Sequence, residues 1–161
     1  MKKLMIIRHA KAVKENSSGD FYRVLRDKGE ADATRLGRYM KQNGMTGCRI
    51  LSSPAKRGLQ TAELLARQTG ETVFADSRLC FEGVEGILEC IREIPIAVEE
   101  ARIVGHNPDL EDLLAFLMGS EFSPVQLGTC CSVMVECEIA DWHSIEPGCG
   151  RIRWMLRPGM V

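Results

Sequence analysis

Leu4-Met5-Ile6-Ile7-Arg8-His9 places four consecutive apolar residues directly before a cation and an imidazole. An uninterrupted apolar run leaves no face for water, so it predicts a short strand buried on both sides, as in a parallel sheet covered by helices. Arg8 and His9 then fall at that strand's carboxyl end. Two later segments repeat the plan. Arg49-Ile50-Leu51-Ser52 leads into Ser53-Pro54 and a helix whose first turn holds Arg57, and Arg102-Ile103-Val104 leads into Gly105-His106-Asn107-Pro108. Thr72-Val73-Phe74 supplies a further strand. Strands alternating with helical stretches predict an α/β domain: a three-layer sandwich with a mostly parallel central sheet, helices on both faces and right-handed crossovers.

The helices have readable ends. The first is expected from about Asp27 to Asn43, with Ala31, Leu36, Tyr39 and Met40 on its buried face and Gly44 as its stop. Its many charges between Asp27 and Arg38 read as a solvated face. Ser53 and Pro54 read as N-cap and first residue of the second helix, with Leu59, Ala62, Leu65 and Ala66 as its stripe and Gly70 at its end. A shorter helix is expected over Gly86 to Ile94, broken at Pro95. Asn107 and Pro108 repeat the cap-plus-proline start, and Asp109, Glu111 and Asp112 suit the positive end of a helix dipole running to about Met118. Residues 11 to 26 are polar and read as a loop. Ser132 to Ile139 and Arg151 to Leu156 read as closing strands around the polar segment Asp141 to Gly150.

With 161 residues, no internal repeat and no low-complexity stretch, the chain is expected to be one domain over residues 1–161. Its formal net charge of −1 argues against a general nucleic-acid footprint. The seven cysteines are odd in number and include no C-x-x-C pair, so reduced thiols are expected rather than disulfides or a structural metal site. No apolar run reaches membrane-spanning length, and the four residues Leu4 to Ile7 are too few for a secretory signal. The expectation is a soluble, cytoplasmic protein with no cofactor and no metal.

Open parallel sheets bind ligands outside the carboxyl ends of their strands. Two of the three histidines and two arginines lie at such ends here. Guanidinium groups match phosphate as bidentate forks, so an anion pocket, and phosphate in particular, is the ligand this pattern suggests. Each residue alone has a plainer explanation. A strand-end histidine is usually structural, Arg57 alone reads as a solvated helix residue, His143 beside Trp142 as a surface residue, and Cys130-Cys131 as small strand fillers. The joint occurrence at three strand ends singles out Arg8, His9, Arg57 and His106.

These segments also resemble a known family. Leu4 through Ala12 is similar to the R-H-G/A opening of histidine phosphatases. Leu51 through Ala62 resembles their S-S-P-x-x-R-x-x-Q-T-A signature, and Val104 through Pro108 their G-H-N-P signature. The closing stretch from Trp142 to Pro158 is similar to that of the small SixA-type phosphohistidine phosphatases, so the resemblance spans nearly the whole chain. It implies a phosphoglycerate mutase-like fold and a metal-independent phosphatase in which His9 attacks phosphorus while Arg8, Arg57 and His106 hold the phosphoryl oxygens. Asp20 to Leu25 resembles the family's D-x-x-R-P-L segment, which makes Arg23 a further substrate-binding cation at the rim. Val24 stands where proline is usual, and Arg26 where threonine often caps the next helix, leaving the cap to Asp27.

Larger family members carry a carboxyl group that protonates the leaving oxygen, and Glu82 is the nearest candidate by position; an exposed loop carboxylate is the alternative. The short stretch between the third and fourth strands leaves no room for the large lid subdomain of phosphoglycerate mutases. The resemblance therefore favours an open pocket and a phosphorylated protein as substrate, such as a histidine-phosphotransfer domain. A hydrolase of small phosphoesters is the second reading. A non-catalytic phosphate-binding module is the third, disfavoured because His9 and its companions are all present.

Overall fold

The computed structural model describes every residue from Met1 to Val161. Six strands make one sheet: β1 (Lys2–Arg8), β2 (Arg49–Ser52), β3 (Thr72–Ala75), β4 (Glu100–Gly105), β5 (Ser132–Cys137) and β6 (Gly150–Leu156). Their spatial order is β3-β2-β4-β1-β5-β6. The first four in that order run parallel, and β5 and β6 close one side antiparallel. Four helices accompany them: α1 (Asp27–Gln42), α2 (Lys56–Thr69), α3 (Gly83–Arg92) and α4 (Asp109–Met118).

The apolar run in β1 divides between two cores because successive strand residues point to opposite faces. Leu4 and Ile6 pack with Leu88, Ile91, Leu113 and Leu117 from α3 and α4. Met5 and Ile7 pack with Leu36, Met40, Ala62 and Leu65 from α1 and α2. The result is the three-layer α/β sandwich expected from the strand–helix alternation. The order β2-β4-β1 sets the three motif-bearing strands side by side, and their parallel course brings all three carboxyl ends to one edge. Between β3 and β4 the chain holds only a short 3-10 turn and α3, so no lid-sized subdomain interrupts the sheet.

Several helix starts differ from the sequence reading. Helix α2 begins at Lys56, with Ala55 rather than Ser53 in the cap position. The Ser53 hydroxyl does accept the Ala55 N–H at 3.2 Å, but it also meets His106. In α4 the cap position is Pro108, and the Asn107 amide turns to Glu111 and to the Leu127 carbonyl. Asp27 is the first helical residue of α1 and caps nothing. The entry to α1 is instead pinned by the main chain: Arg26 N–H donates to the Lys11 carbonyl at 2.8 Å, and a Cβ at Gly29 would collide with that same carbonyl. Helix α3 starts three residues earlier than expected, at Gly83.

The buried face of α1 is Gly29, Asp32, Ala33, Leu36, Gly37 and Met40, while Ala31 is exposed and Tyr39 half-buried. Gly37 lets α2 approach closely, since a Cβ there would crowd Gln68 and Leu65. Asp32 is not part of a solvated face. It is 3% exposed and held by Arg35 at 2.6 Å and Lys28 at 3.1 Å. All seven cysteines are free, five of them buried. No helix is long and apolar enough to cross a membrane.

Candidate active site

His9 follows β1 at the carboxyl edge of the parallel strands and is buried, 8% exposed. Its Nδ1 is 2.8 Å from the Ala10 carbonyl oxygen, which can only accept, so Nδ1 carries the proton. Nε2 is then left with a lone pair, and the Arg57 Nε–H points at it from 3.3 Å. Burial lowers the His9 pKa first; the Ala10 bond opposes this, and the charges of Arg57, Arg8 and Arg23 add to the drop, to about 4. The imidazole is therefore neutral near pH 7, and its one free nitrogen faces a cation.

Arg57 enters from the first turn of α2 and is 2% exposed. Its remaining nitrogens are held by Asp20: Nη1 donates to the Asp20 carbonyl at 2.9 Å and Nη2 to the carboxylate at 3.1 Å. Arg23 joins the same carboxylate through Nε at 2.8 Å and reaches the Val13 carbonyl through Nη1 at 2.9 Å. Burial pushes the Asp20 carboxyl up, but the hydrogen bonds and charges of the two arginines outweigh it and hold the group below the usual carboxylate range. Arg8 is fixed by Nη1 on the Leu127 carbonyl at 2.8 Å, and its buried Nε has no partner. That carbonyl is placed in turn by Glu111, whose carboxylate accepts from both Leu127 N–H and the Asn107 amide.

His106 follows β4, with its ring centroid 5.2 Å from that of His9. Its Nε2 is 2.7 Å from the Ser53 hydroxyl. Ser53 Oγ accepts from Ala55 N–H and has a proton of its own to donate to Nε2; in that arrangement the His106 proton sits on Nδ1. Nδ1 is buried without a protein partner. Burial first, then the neighbouring His9 and Arg57, lowers the His106 pKa to about 3. The ring of Phe81 stacks on His106 at 4.4 Å. Unpartnered donors in a buried place are costly unless something else satisfies them. Arg8 Nε and His106 Nδ1 are two such unpartnered buried nitrogens near the Arg57 guanidinium, an arrangement an anion could satisfy.

A family model for the histidine phosphatase superfamily (branch 1) matches residues 4–112, which takes in β1 through the first turn of α4. The chain belongs to the histidine phosphatase superfamily. Its three-layer sheet is the phosphoglycerate mutase-like fold of that group without a large lid. Among solved structures, a protein histidine phosphatase SixA complexed with tungstate aligns with TM-score 0.84 and 22% identity over 98% of this chain and 97% of its own. A chain provisionally described as the phosphohistidine phosphatase SixA of Agrobacterium tumefaciens gives TM-score 0.80 and 25% identity over 98% and 99%. A mycobacterial glucosyl-3-phosphoglycerate phosphatase gives TM-score 0.69 and 15% identity over 94% and 97%. No curated protein matches the sequence significantly.

Within this histidine phosphatase the residues singled out by the sequence come together: His9 meets Arg57 at 3.3 Å and His106 at 5.2 Å between rings, and Arg8 is near enough for its charge to act on both imidazoles. Arg23 stands one step back, linked to Arg57 through Asp20. Glu82 is exposed at the start of α3, beside Phe81, and makes neither a hydrogen bond nor an ion pair. Sequence reasoning missed four neighbours. Asp20 was read only as motif background, and Ser53 only as a cap. Thr61 accepts the Ala10 N–H at 3.0 Å and donates to the Arg57 carbonyl at 2.6 Å, tying the segment that follows β1 to α2. Phe81 gave no signal of its own. Beside Thr61 in the second motif, Gln60 accepts the Leu25 N–H at 2.8 Å and so straps the Arg23 loop to α2. No three His, Cys, Asp or Glu residues come together as a metal-holding group.

Proposed function

We propose that this histidine phosphatase hydrolyses phosphohistidine on proteins through a covalent phosphohistidine at His9. The observation that carries the reading is the neutral His9 ring, with Nδ1–H locked on Ala10 and the Nε2 lone pair facing Arg57. An incoming phosphoryl group replaces that lone pair as the acceptor of Arg57 Nε–H. His9 Nε2 bonds to phosphorus as the bond to the leaving group breaks. Water then attacks the same phosphorus, the P–N bond breaks, and phosphate leaves with the lone pair back on Nε2. Arg8, Arg57 and His106 Nδ1–H stabilise the charge on the equatorial oxygens throughout. Arg23 holds Asp20 against Arg57 and adds positive potential at the rim.

The cations needed for this are built into the chain, so the reaction is expected to run without a metal. Seven free thiols suit a reducing cytoplasm. A protein substrate is supported by the open strand-end edge and by the likeness to SixA structures; a phosphorylated histidine-phosphotransfer domain would fit. Small phosphoesters are the second reading, favoured by the likeness to a sugar-phosphate phosphatase. The test is a dephosphorylation panel in which phosphohistidine proteins compete with sugar and nucleotide phosphates. A sugar or nucleotide phosphate with kcat/KM well above every phosphohistidine protein would overturn the protein-substrate reading.

A further inference from the structure

We propose that Phe81 is a specificity-determining residue that selects substrates whose phosphoryl group departs from a planar ring, over those with an aliphatic leaving group. This rests on His9 acting as the nucleophile. Phe81 has φ of 62°, the left-handed region that bulky residues rarely enter. The turn is held there by the next residues: Gly83 N–H donates to the buried Asp109 carboxylate at 3.0 Å, and Gly83 itself has φ of 75°. This backbone sets the Phe81 ring on the His106 ring with an interplanar angle of 26°, and 5.7 Å from the Arg57 guanidinium carbon.

If Phe81 served only to keep His106 dry, any apolar side chain could do so, and the best cover would be buried. Instead 49% of Phe81 remains exposed. The segment that holds Arg57 also presents aromatic surface. Phe21 and Tyr22 directly follow Asp20, meet edge to face at 5.2 Å, and are 41% and 49% exposed. In-line displacement places the leaving group opposite His9 Nε2. His9 is 8% exposed and Phe81 is 49% exposed, so a leaving group that departs toward solvent meets Phe81, which borders two of the groups proposed to hold the phosphoryl oxygens. A planar ring there can stack in an offset arrangement, and an aliphatic alcohol cannot. The imidazole of phosphohistidine and the ring of an aryl phosphate share this chemistry.

The test compares kcat/KM for phosphoimidazole against phosphoramidate, and for phenyl phosphate against ethyl phosphate, in wild type, Phe81→Leu and Phe81→Tyr. Intrinsic leaving-group reactivity cancels when each ratio is compared between variants. Phe81→Leu should lower both ratios about threefold to tenfold, while Phe81→Tyr keeps them within about twofold. A second reading needs no variant: phenylphosphonate should inhibit the wild type about threefold to tenfold more tightly than methylphosphonate. Unchanged ratios in Phe81→Leu, or equal inhibition by the two phosphonates, overturn the role of Phe81 while leaving phosphorylation of His9 intact. If no donor phosphorylates His9, both this inference and the parent reading fall.

Discussion

The Arg57 Nε–H lies 3.3 Å from His9 Nε2, while the other two nitrogens of the same guanidinium are spent on Asp20. One side chain thus faces the proposed nucleophile and is itself oriented by a carboxylate from a different segment. A lysine cannot do both, because an ammonium lacks the planar fork.

Replacing His9 by alanine should reduce turnover by at least about a thousandfold, since covalent catalysis is lost entirely. Rapid acid-free quenching of wild type with labelled substrate should find phosphate on His9. Arg57→Lys should keep the fold but lower kcat by roughly a hundredfold. Undiminished turnover in His9→Ala would sink the mechanism.

The pH behaviour has a definite sign. In the folded protein His9 takes its proton near pH 4 and His106 near pH 3, against 6.5 for a free imidazole. Between those values the unfolded chain binds more protons than the native one, so stability is full above about 6.5 and falls as the pH drops toward 4. For His9 alone the shift corresponds to about 3 kcal/mol. Imidazole nitrogen shifts in an NMR titration should therefore move near pH 4 for His9. A midpoint near 6.5 would show that burial does not hold this ring neutral.

Ser53 and Thr61 act on the reacting groups only through other residues. Ser53→Ala removes the hydroxyl that places the His106 proton on Nδ1, and should lower kcat roughly tenfold to a hundredfold with little change in KM. Thr61→Val is nearly isosteric but strands the Ala10 N–H and frees the Arg57 carbonyl. A loss of about 1–3 kcal/mol in denaturant unfolding is expected. If Ser53→Ala shifts neither kcat nor the His106 nitrogen spectrum, the tautomer assignment fails.

How far the sequence carried the reading follows from the range of each interaction. The apolar run of β1 and the arginines and histidines that follow three strand ends are local patterns, legible because period and position suffice. The contacts that finish the site are not local. Thr61 meets Ala10, and Ser53 meets His106, across spans of 51 and 53 residues. Ser53 looked like a cap because its type and the following proline fit one. The helix starts at Lys56 instead, and the hydroxyl is drawn to the imidazole. Phe81 sits in an irregular segment with no periodicity, and its left-handed backbone cannot be read from a phenylalanine. Asp32 looked solvated for a different reason: a charged residue reads as exposed by type, but Lys28 and Arg35 on its own helix pair with the carboxylate and let it be buried.

Extended treatment with EDTA should leave activity unchanged. In the proposed mechanism Arg8 and Arg57 supply the positive charge at phosphorus that a divalent ion supplies elsewhere. Activity lost to the chelator and restored by a divalent ion would contradict this.

Glu82 provides the sharpest test of substrate class. Its carboxylate is exposed, has no partner, and follows Phe81, whose ring lies on His106. An alkoxide leaving group needs a proton as it departs, and a positioned acid typically contributes about a hundredfold or more. A phosphorylated imidazole has a labile P–N bond and a far better leaving group, so it needs much less help. Glu82→Gln keeps the size and polarity of the side chain but cannot donate a carboxyl proton. If Glu82 is the acid, the variant should lose about a hundredfold in kcat on an alkyl phosphate and less than about threefold on a phosphohistidine peptide. An equal loss on both substrates would make Glu82 a binding residue instead. No loss on either would return it to an exposed loop carboxylate, and the phosphatase would then work without a general acid of its own.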